Sequence, residues 1–211
     1  MRMMNISLSK AILTAGFIGA ILFAYEAFTR NTAENLNSNK KLIDSGLSEQ
    51  WKSGNVILLI RHEERCDRSS NPCLGSNDGI TRLGGEKSQA AGARIKSYFG
   101  LERSDIFTTP TTRTIQTSNL MFGIANLLPD RESACGNDIT DKLLKYKNSN
   151  RNLILITHNT CINDLIEASG HKKSGNPEYG SLLFSKTSSN NEIQIIGRLN
   201  ADDLPKHPSQ L

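Results

Sequence analysis

Apolar residues along this chain fall into short, uninterrupted runs, and three of those runs organise the rest. Residues 56–60 (V-I-L-L-I) and 153–156 (L-I-L-I) contain no polar member and are rich in branched side chains. Runs of that length and composition suit strands buried on both faces of a sheet. Residues 105–108 read as a shorter strand. Between and after the strands, apolar residues recur at helical spacing. A helix is expected over 81–98, with Thr81 as N-cap, Gly100 as C-cap and Ala91 and Ile95 on its buried side. Further helices are expected over 111–126, 138–148 and 160–169, and a final pair of strands over 181–185 and 192–198. Strands alternating with helices indicate an α/β layered fold. The third run, residues 11–24, is different in kind. It is fourteen residues long, carries no charge and follows Arg2 and Lys10.

That N-terminal run has the length of a signal-peptide core and is short for a membrane span, which needs about twenty residues. The basic residues before it direct the remainder of the chain outward. Residues 1–30 are therefore expected to be a cleaved signal or an uncleaved anchor. Residues 31–54, rich in Asn, Ser and Lys, are expected to be a linker with some helix near Trp51. Residues 55–200 form the globular domain and 201–211 a frayed tail. Export bears on the four cysteines, Cys66, Cys73, Cys135 and Cys161. An oxidising compartment favours disulfides. Of three possible pairings, Cys66 with Cys73 is favoured by the turn-rich D-R-S-S-N-P between them, which leaves Cys135 with Cys161. Free thiols are the alternative.

Charge adds little to this picture. The 211 residues carry a formal net charge of +4, half of it in the first thirty. So even a balance in the body argues against a nucleic-acid partner. Any preference for anions must come from a local cluster.

The chain places such clusters where the apolar runs end. Residues 56–60 lead into Arg61-His62-Glu63-Glu64-Arg65, and 153–156 lead into Thr157-His158. Parallel strands in one sheet would bring both ends to one edge, where open α/β sheets bind their ligands. Between them lies Thr109-Pro110-x-x-Arg113-Thr114-x-Gln116-Thr117, a strand end followed by a helix start. Arg113 in the first turn is a cation at the positive end of a helix, a conflict that a bound anion resolves. Two arginines and two histidines around one point suit a tetrahedral phosphate dianion. An imidazole there can attack phosphorus and form a phosphohistidine that water hydrolyses. A carboxyl group must then handle the protons of the leaving oxygen and the water.

Arg61-His62, the 109–117 segment and Thr157-His158 together resemble the histidine phosphatase (phosphoglycerate mutase-like) superfamily in order and spacing. More narrowly, Arg65-Cys66-Asp67-Arg68-Ser69, Cys73-Leu74, Gly79-Ile80-Thr81, Cys135-Gly136-Asn137 and His158-Asn159 with Cys161 are similar to the lipopolysaccharide core heptose(II)-phosphate phosphatases. The resemblance covers residues 55–198. It implies a three-layer α/β sandwich, a mostly parallel central sheet with helices on both faces. It also implies an exported phosphomonoesterase, periplasmic or anchored to the inner membrane, that acts on phosphorylated lipopolysaccharide core and needs no cofactor or metal. The membrane would be met only through the N-terminal segment or the lipid substrate. Carried onto this sequence, His62 is the nucleophile, and Arg61, Arg113 and His158 hold the phosphate, with Arg65 close by. Glu132 falls in the loop where many relatives place their acid, with Glu63, Glu64, Asp67 and Asp138 as rivals. Asn159 stands where Gly is usual, and Thr109 where Ser is usual.

Three other readings fit some of these residues. The same fold can serve another periplasmic sugar phosphate or a phosphoprotein. A non-catalytic module that binds anionic glycans needs the cations but no acid. His62 and Cys66 with His158 and Cys161 would make a zinc set, which an oxidising compartment disfavours.

Overall fold

The computed structural model describes residues 31–173, 175–188, 190 and 192–205. The chain divides into two compact units, Met1–Thr32 and Ala33–Leu211. The expected export segment, residues 1–30, lies outside the described residues, and every described helix and strand belongs to the second unit. Among the described residues, no helix is long and apolar enough to cross a membrane.

A six-stranded sheet forms the centre. Its strands are β1 (Val56–Arg61), β2 (Ser104–Thr108), β3 (Asn126–Leu127), β4 (Asn152–Thr157), β5 (Ser181–Thr187) and β6 (Ile193–Asn200). In space they run β3-β2-β4-β1-β5-β6. β1, β2, β3 and β4 are mutually parallel, while β5 and β6 are antiparallel and close one edge. The two all-apolar runs thus become neighbours in the middle, where both faces are covered. Helices α1 (Asn39–Asp44), α2 (Leu47–Lys52), α3 (Arg82–Phe99), α4 (Thr112–Phe122), α5 (Ile139–Tyr146) and α6 (Asn159–Ala168) supply the cover.

Alternation along the strands decides which helix packs where. Val56, Leu58 and Ile60 of β1 join Ile154, Ile156 and Phe184 on one face, against Trp51, Ala91, Ile95 and Met121. Ile57 and Leu59 join Leu153, Leu155 and Leu183 on the other, against Ile139, Leu143, Ile162 and Leu165. The result is the expected three-layer sandwich. Asn152 is fully buried and ties the layers together at one end. Its Oδ1 accepts from Val56 N–H at 3.0 Å, and its Nδ2 donates to the Trp51 carbonyl at 3.0 Å.

Three expectations need correction. The segment 31–54 is not a free linker. Leu36 N–H donates to the Arg198 carbonyl at 2.8 Å and Arg198 N–H to the Glu34 carbonyl at 2.7 Å, so this segment lines the outer edge of β6. Leu36, Leu47 and Trp51 are buried, and the Trp51 ring stacks on Phe99 with centroids 4.6 Å apart. Burying side chains of that size contributes roughly 2 kcal/mol each, enough to hold a polar segment in place. Leu204, in the expected tail, is buried in the same cluster. The helix expected over 111–126 stops at Phe122. Gly123 takes φ 72° and donates its N–H to the Asn119 carbonyl, a left-handed C-cap that leaves Asn126–Leu127 to pair with β2.

Helices α3 and α4 approach closely because Gly92 has no side chain. A Cβ at that position would lie 2.0 Å from the Met121 carbonyl oxygen. Alanine is the better helix former by about 1 kcal/mol, but here it meets backbone that no rotamer change can move. We expect Gly92→Ala to lower unfolding free energy by about 1–3 kcal/mol in urea titrations, against the sign of helix propensity.

Candidate active site

Register alone brings the two histidines together. Arg61 of β1 pairs with Thr157 of β4, and Thr108 of β2 pairs with Ile156. His62, His158 and Thr109 are each the first residue beyond those paired ends. His62 N–H donates to the Thr157 carbonyl and Thr109 N–H to the Ile156 carbonyl, which carries the alignment past the last sheet pair. The two imidazoles meet edge to face with centroids 5.3 Å apart. Both are nearly buried, at 2 % and 4 % exposure.

A cavity of about 450 Å³ opens over them, lined by Arg61, Arg65, Arg68, Arg113, Arg131, Asn159, Thr160 and Asn176 as well as His62 and His158. His62 Nδ1 lies 2.8 Å from the Glu63 carbonyl oxygen. A carbonyl can only accept, so Nδ1 carries the hydrogen and Nε2 keeps the lone pair. Burial lowers the His62 pKa to about 3, and the charges of Arg113, Arg61 and Arg65 act in the same direction. Burial lowers His158 to about 3 as well, followed by its neighbours His62 and Arg113. Both rings are therefore neutral at physiological pH. The Thr109 hydroxyl lies 3.2 Å from Thr114 Oγ1 and 3.1 Å from His158 Nε2, which fixes the orientation of that ring.

The arginines are held from several elements. Arg61 lies over the Tyr179 ring, 3.9 Å from its centroid, and donates from Nη1 to the Pro177 carbonyl. Arg113 occupies the first turn of α4, where Thr114 Oγ1 accepts the Thr111 N–H at 3.3 Å. Burial pushes both guanidiniums below their usual pKa. The Nε atoms of both are buried without a hydrogen-bond partner. Arg65 lines the cavity too, but its fork is engaged by Asp67, with Nε 2.7 Å from Oδ1. Gln116 and Thr117 act one step back. Gln116 Oε1 accepts the Ile80 N–H at 2.8 Å, and Thr117 Oγ1 accepts the Glu63 N–H at 3.1 Å while donating to the Arg113 carbonyl.

Two disulfides frame the cavity. Cys66 pairs with Cys73 and Cys135 with Cys161. The first closes the loop that carries Arg68, directly after Arg65, and the second ties the 132–135 turn to α6. The thiolates that a zinc set would need are consumed in these bonds.

The carboxylates are where the expected site and the observed one part. Glu132 does not reach the cavity. It is exposed and lines a separate depression with Asp130, Lys142 and Lys145, while its neighbour Arg131 lines the cavity instead. A short turn, Glu132–Ala134, separates the directions of these adjacent side chains. Asp138 pairs with Lys142 at 2.8 Å. Glu64 accepts from Asn71 and Thr81, which hold its pKa below the usual range. Glu63 is buried in another small cavity, with Lys87, Gly180 and Asp202. Asp67 alone among the five pairs with a cavity arginine, Arg65, and it is itself exposed rather than part of the cavity lining. Its hydrogen bond to Arg65 lowers its pKa most, and the Arg68 and Arg113 charges add to this. Residue type and spacing had not singled out Arg68, Arg131 or Tyr179. Arg131 stands one position from the expected Glu132, and Arg68 is the third arginine within eight residues of Arg61.

Comparison with known proteins bears on the family and the fold. The chain is 31% identical over 162 residues to the lipopolysaccharide core heptose(II)-phosphate phosphatase of Salmonella arizonae, covering 75% of this chain and 76% of that protein. The Salmonella typhimurium protein of the same name is 30% identical over 149 residues, covering 69% and 73%. The chain belongs to the lipopolysaccharide core heptose(II)-phosphate phosphatase family. No family model matches it. Among solved structures, the protein histidine phosphatase SixA complexed with tungstate superposes with a TM-score of 0.56 at 14% identity, over 71% of this chain and 99% of that one. A phosphoglycerate mutase from Bacillus anthracis gives 0.56 at 12% identity, over 74% and 98%. This heptose(II)-phosphate phosphatase family member therefore has the phosphoglycerate mutase-like fold.

Glu63 yields a test of the buried electrostatics. Burial raises its pKa to about 7, with Lys87 opposing the shift. A folded-state value above the unfolded one means stability that is fully present below about pH 4.5 and lost as pH rises through about 7. Glu63→Gln removes that loss. We expect the variant to gain roughly 3 kcal/mol on wild type between pH 4.5 and pH 8.5 in denaturant titrations. Parallel stability curves for the two proteins would show that the carboxyl group is not buried as described.

Proposed function

We propose that the protein is an exported phosphomonoesterase that removes phosphate from heptose of the lipopolysaccharide core through a phosphohistidine on His62. The observation that carries this reading is the neutral His62 ring, with its Nε2 lone pair available in a cavity lined by arginines. The family relatives' name supplies the substrate.

In this mechanism Arg61 and Arg113, which both line the cavity, bind the non-bridging oxygens of the phosphate. His158 completes the cradle, and Arg65 joins it when its fork turns from Asp67. His62 Nε2 attacks phosphorus as the ester bond breaks, and the sugar oxygen leaves as a hydroxyl with a proton taken from solvent. The arginines stabilise the charge that develops on the transferring group. Water then attacks the phosphohistidine, giving phosphate and restoring His62. Attack through Nε2 leaves the ring cationic until the phosphate departs. The Glu63 carbonyl, accepting from Nδ1–H, stabilises that charge. Asp67, rather than Glu132, is the carboxylate that we assign to proton handling, because it is the one of the five that pairs with a cavity arginine, Arg65. Its lowered pKa keeps it ionised and able to accept a proton from the attacking water, at the cost of weaker basicity.

The periplasm is the compartment that fits. Residues 1–30 have the pattern of a signal or an inner-membrane anchor. All four cysteines are paired, as an oxidising compartment allows. The catalytic domain corresponds to 55–200, with 33–54 and Leu204 packed onto it.

Purified protein is expected to release phosphate from an aryl phosphate and to form an alkali-stable phosphoenzyme. His62→Ala should lower the rate at least about a thousandfold and abolish the phosphoenzyme. Asp67→Asn should cost about ten- to a hundredfold in kcat, a larger loss than Glu132→Gln. Release of phosphate by His62→Ala at the wild-type rate would overturn the mechanism. Lipopolysaccharide core treated with the enzyme should lose one phosphate by mass. An unchanged core alongside hydrolysis of other sugar phosphates would move the substrate elsewhere, and no hydrolysis at all would leave an anion-binding module.

A further inference from the structure

The cavity holds more positive charge than one phosphate can use. Five arginines line it together with the two histidines. A phosphomonoester brings about two negative charges, and Asp67 adds one. Arg61, Arg113 and the imidazoles already surround a single tetrahedral group. Arg68 and Arg131 are in excess of that cradle, and among the described residues neither has a carboxylate within salt-bridge distance.

These two arginines are also held in place against their own repulsion. Arg68 ends the Cys66–Arg68 turn, which the disulfide to Cys73 anchors. Arg131 opens the Glu132–Ala134 turn, and the Cys135–Cys161 disulfide ties that turn to α6. The Arg131 guanidinium donates from Nη2 to Thr160 Oγ1, in the first turn of the same helix. Beside it, Asn159 Nδ2 donates to Asn176 Oδ1 at 3.3 Å, so amide and hydroxyl donors lie next to the cation. The Arg131 charge bears on His158 and Arg113, which places it on that flank of the cradle. Like charges on unrestrained loops would separate; crosslinked turns keep them facing one cavity, preorganised for an anion.

We propose that the site takes a polyanionic substrate, in which a second anionic group near the scissile phosphate binds Arg131, Thr160 and the Asn159–Asn176 pair, with Arg68 strengthening the field. The cavity volume of about 450 Å³ accommodates a phosphorylated sugar with such a second group. The proposal rests on the phosphate-binding reading above and narrows its substrate class to sugars with a phosphate or carboxylate beside the phosphate removed.

Binding without turnover tests it. The His62→Ala protein is titrated calorimetrically, at low salt, with glucose 6-phosphate, glucose 1,6-bisphosphate and 6-phosphogluconate. The bisphosphate is expected to bind at least about tenfold tighter than the monophosphate. An equal gain for 6-phosphogluconate assigns the subsite to any anion, and a gain for the bisphosphate alone assigns it to phosphate. Adding Arg131→Gln should bring the affinities within about twofold of one another, while Arg131→Lys, which keeps the charge, should retain part of the preference. The proposal is overturned by equal affinities for mono- and bisphosphate, or by a preference that survives Arg131→Gln unchanged. His62→Asn serves the same titrations if the alanine variant does not fold. A wild-type protein inactive on every phosphomonoester would overturn the proposed hydrolysis, and the affinity ratios would still decide the subsite.

Discussion

The parallel pairing of β1 with β4 is the constraint from which the site follows. Each strand is apolar between its terminal residues because helices cover both faces. That composition leaves polar chemistry only at the strand ends. The Arg61–Thr157 register then decides that the two ends coincide. A slip of one residue would turn every side chain of β1 to the opposite layer, so the register that packs the core also sets His62 against His158.

What this arrangement does to charge is as important as where it puts atoms. Two imidazoles are buried beside guanidiniums, and the imidazoles respond by staying neutral. Neutrality is what a nucleophile needs, and the Glu63 carbonyl selects which nitrogen carries the lone pair. The arginines respond differently. They remain cationic, and packing on Tyr179, helix geometry and disulfides hold them in place, with Asp67 the one carboxylate at hand. A small set of restraints therefore maintains an electrostatic field that would disperse in a flexible loop.

Much of the fold was legible because it rests on local pattern. The strands at 56–60 and 153–156, the Thr81 N-cap and the helix starting beside Arg113 follow from periodicity and capping chemistry. Thr81 does cap α3, accepting the Gly84 N–H. The segment 31–54 reads as a linker because its polar residues outnumber the few apolar ones that bury it. Leu36 and Trp51 act through distant partners, Arg198 and Phe99, that no window of sequence contains. The end of α4 is hidden in the sequence because helical spacing continues past Gly123, while the backbone there turns left-handed.

By itself, the sequence determined the chemical inventory of the site: an imidazole at the end of each of two buried strands, an arginine beside one of them and another in a first helical turn. These follow from composition at fixed chain positions, which folding cannot alter. Only the tertiary structure decided which carboxylates and cations share that site. Glu132 and Arg131 are neighbours in sequence, yet a single turn sends the arginine to the cavity and the glutamate to solvent. Glu63 follows His62 directly and is buried in a different cavity. Side chains on loops take their direction from long-range contacts and crosslinks, and spacing along the chain carries no record of those.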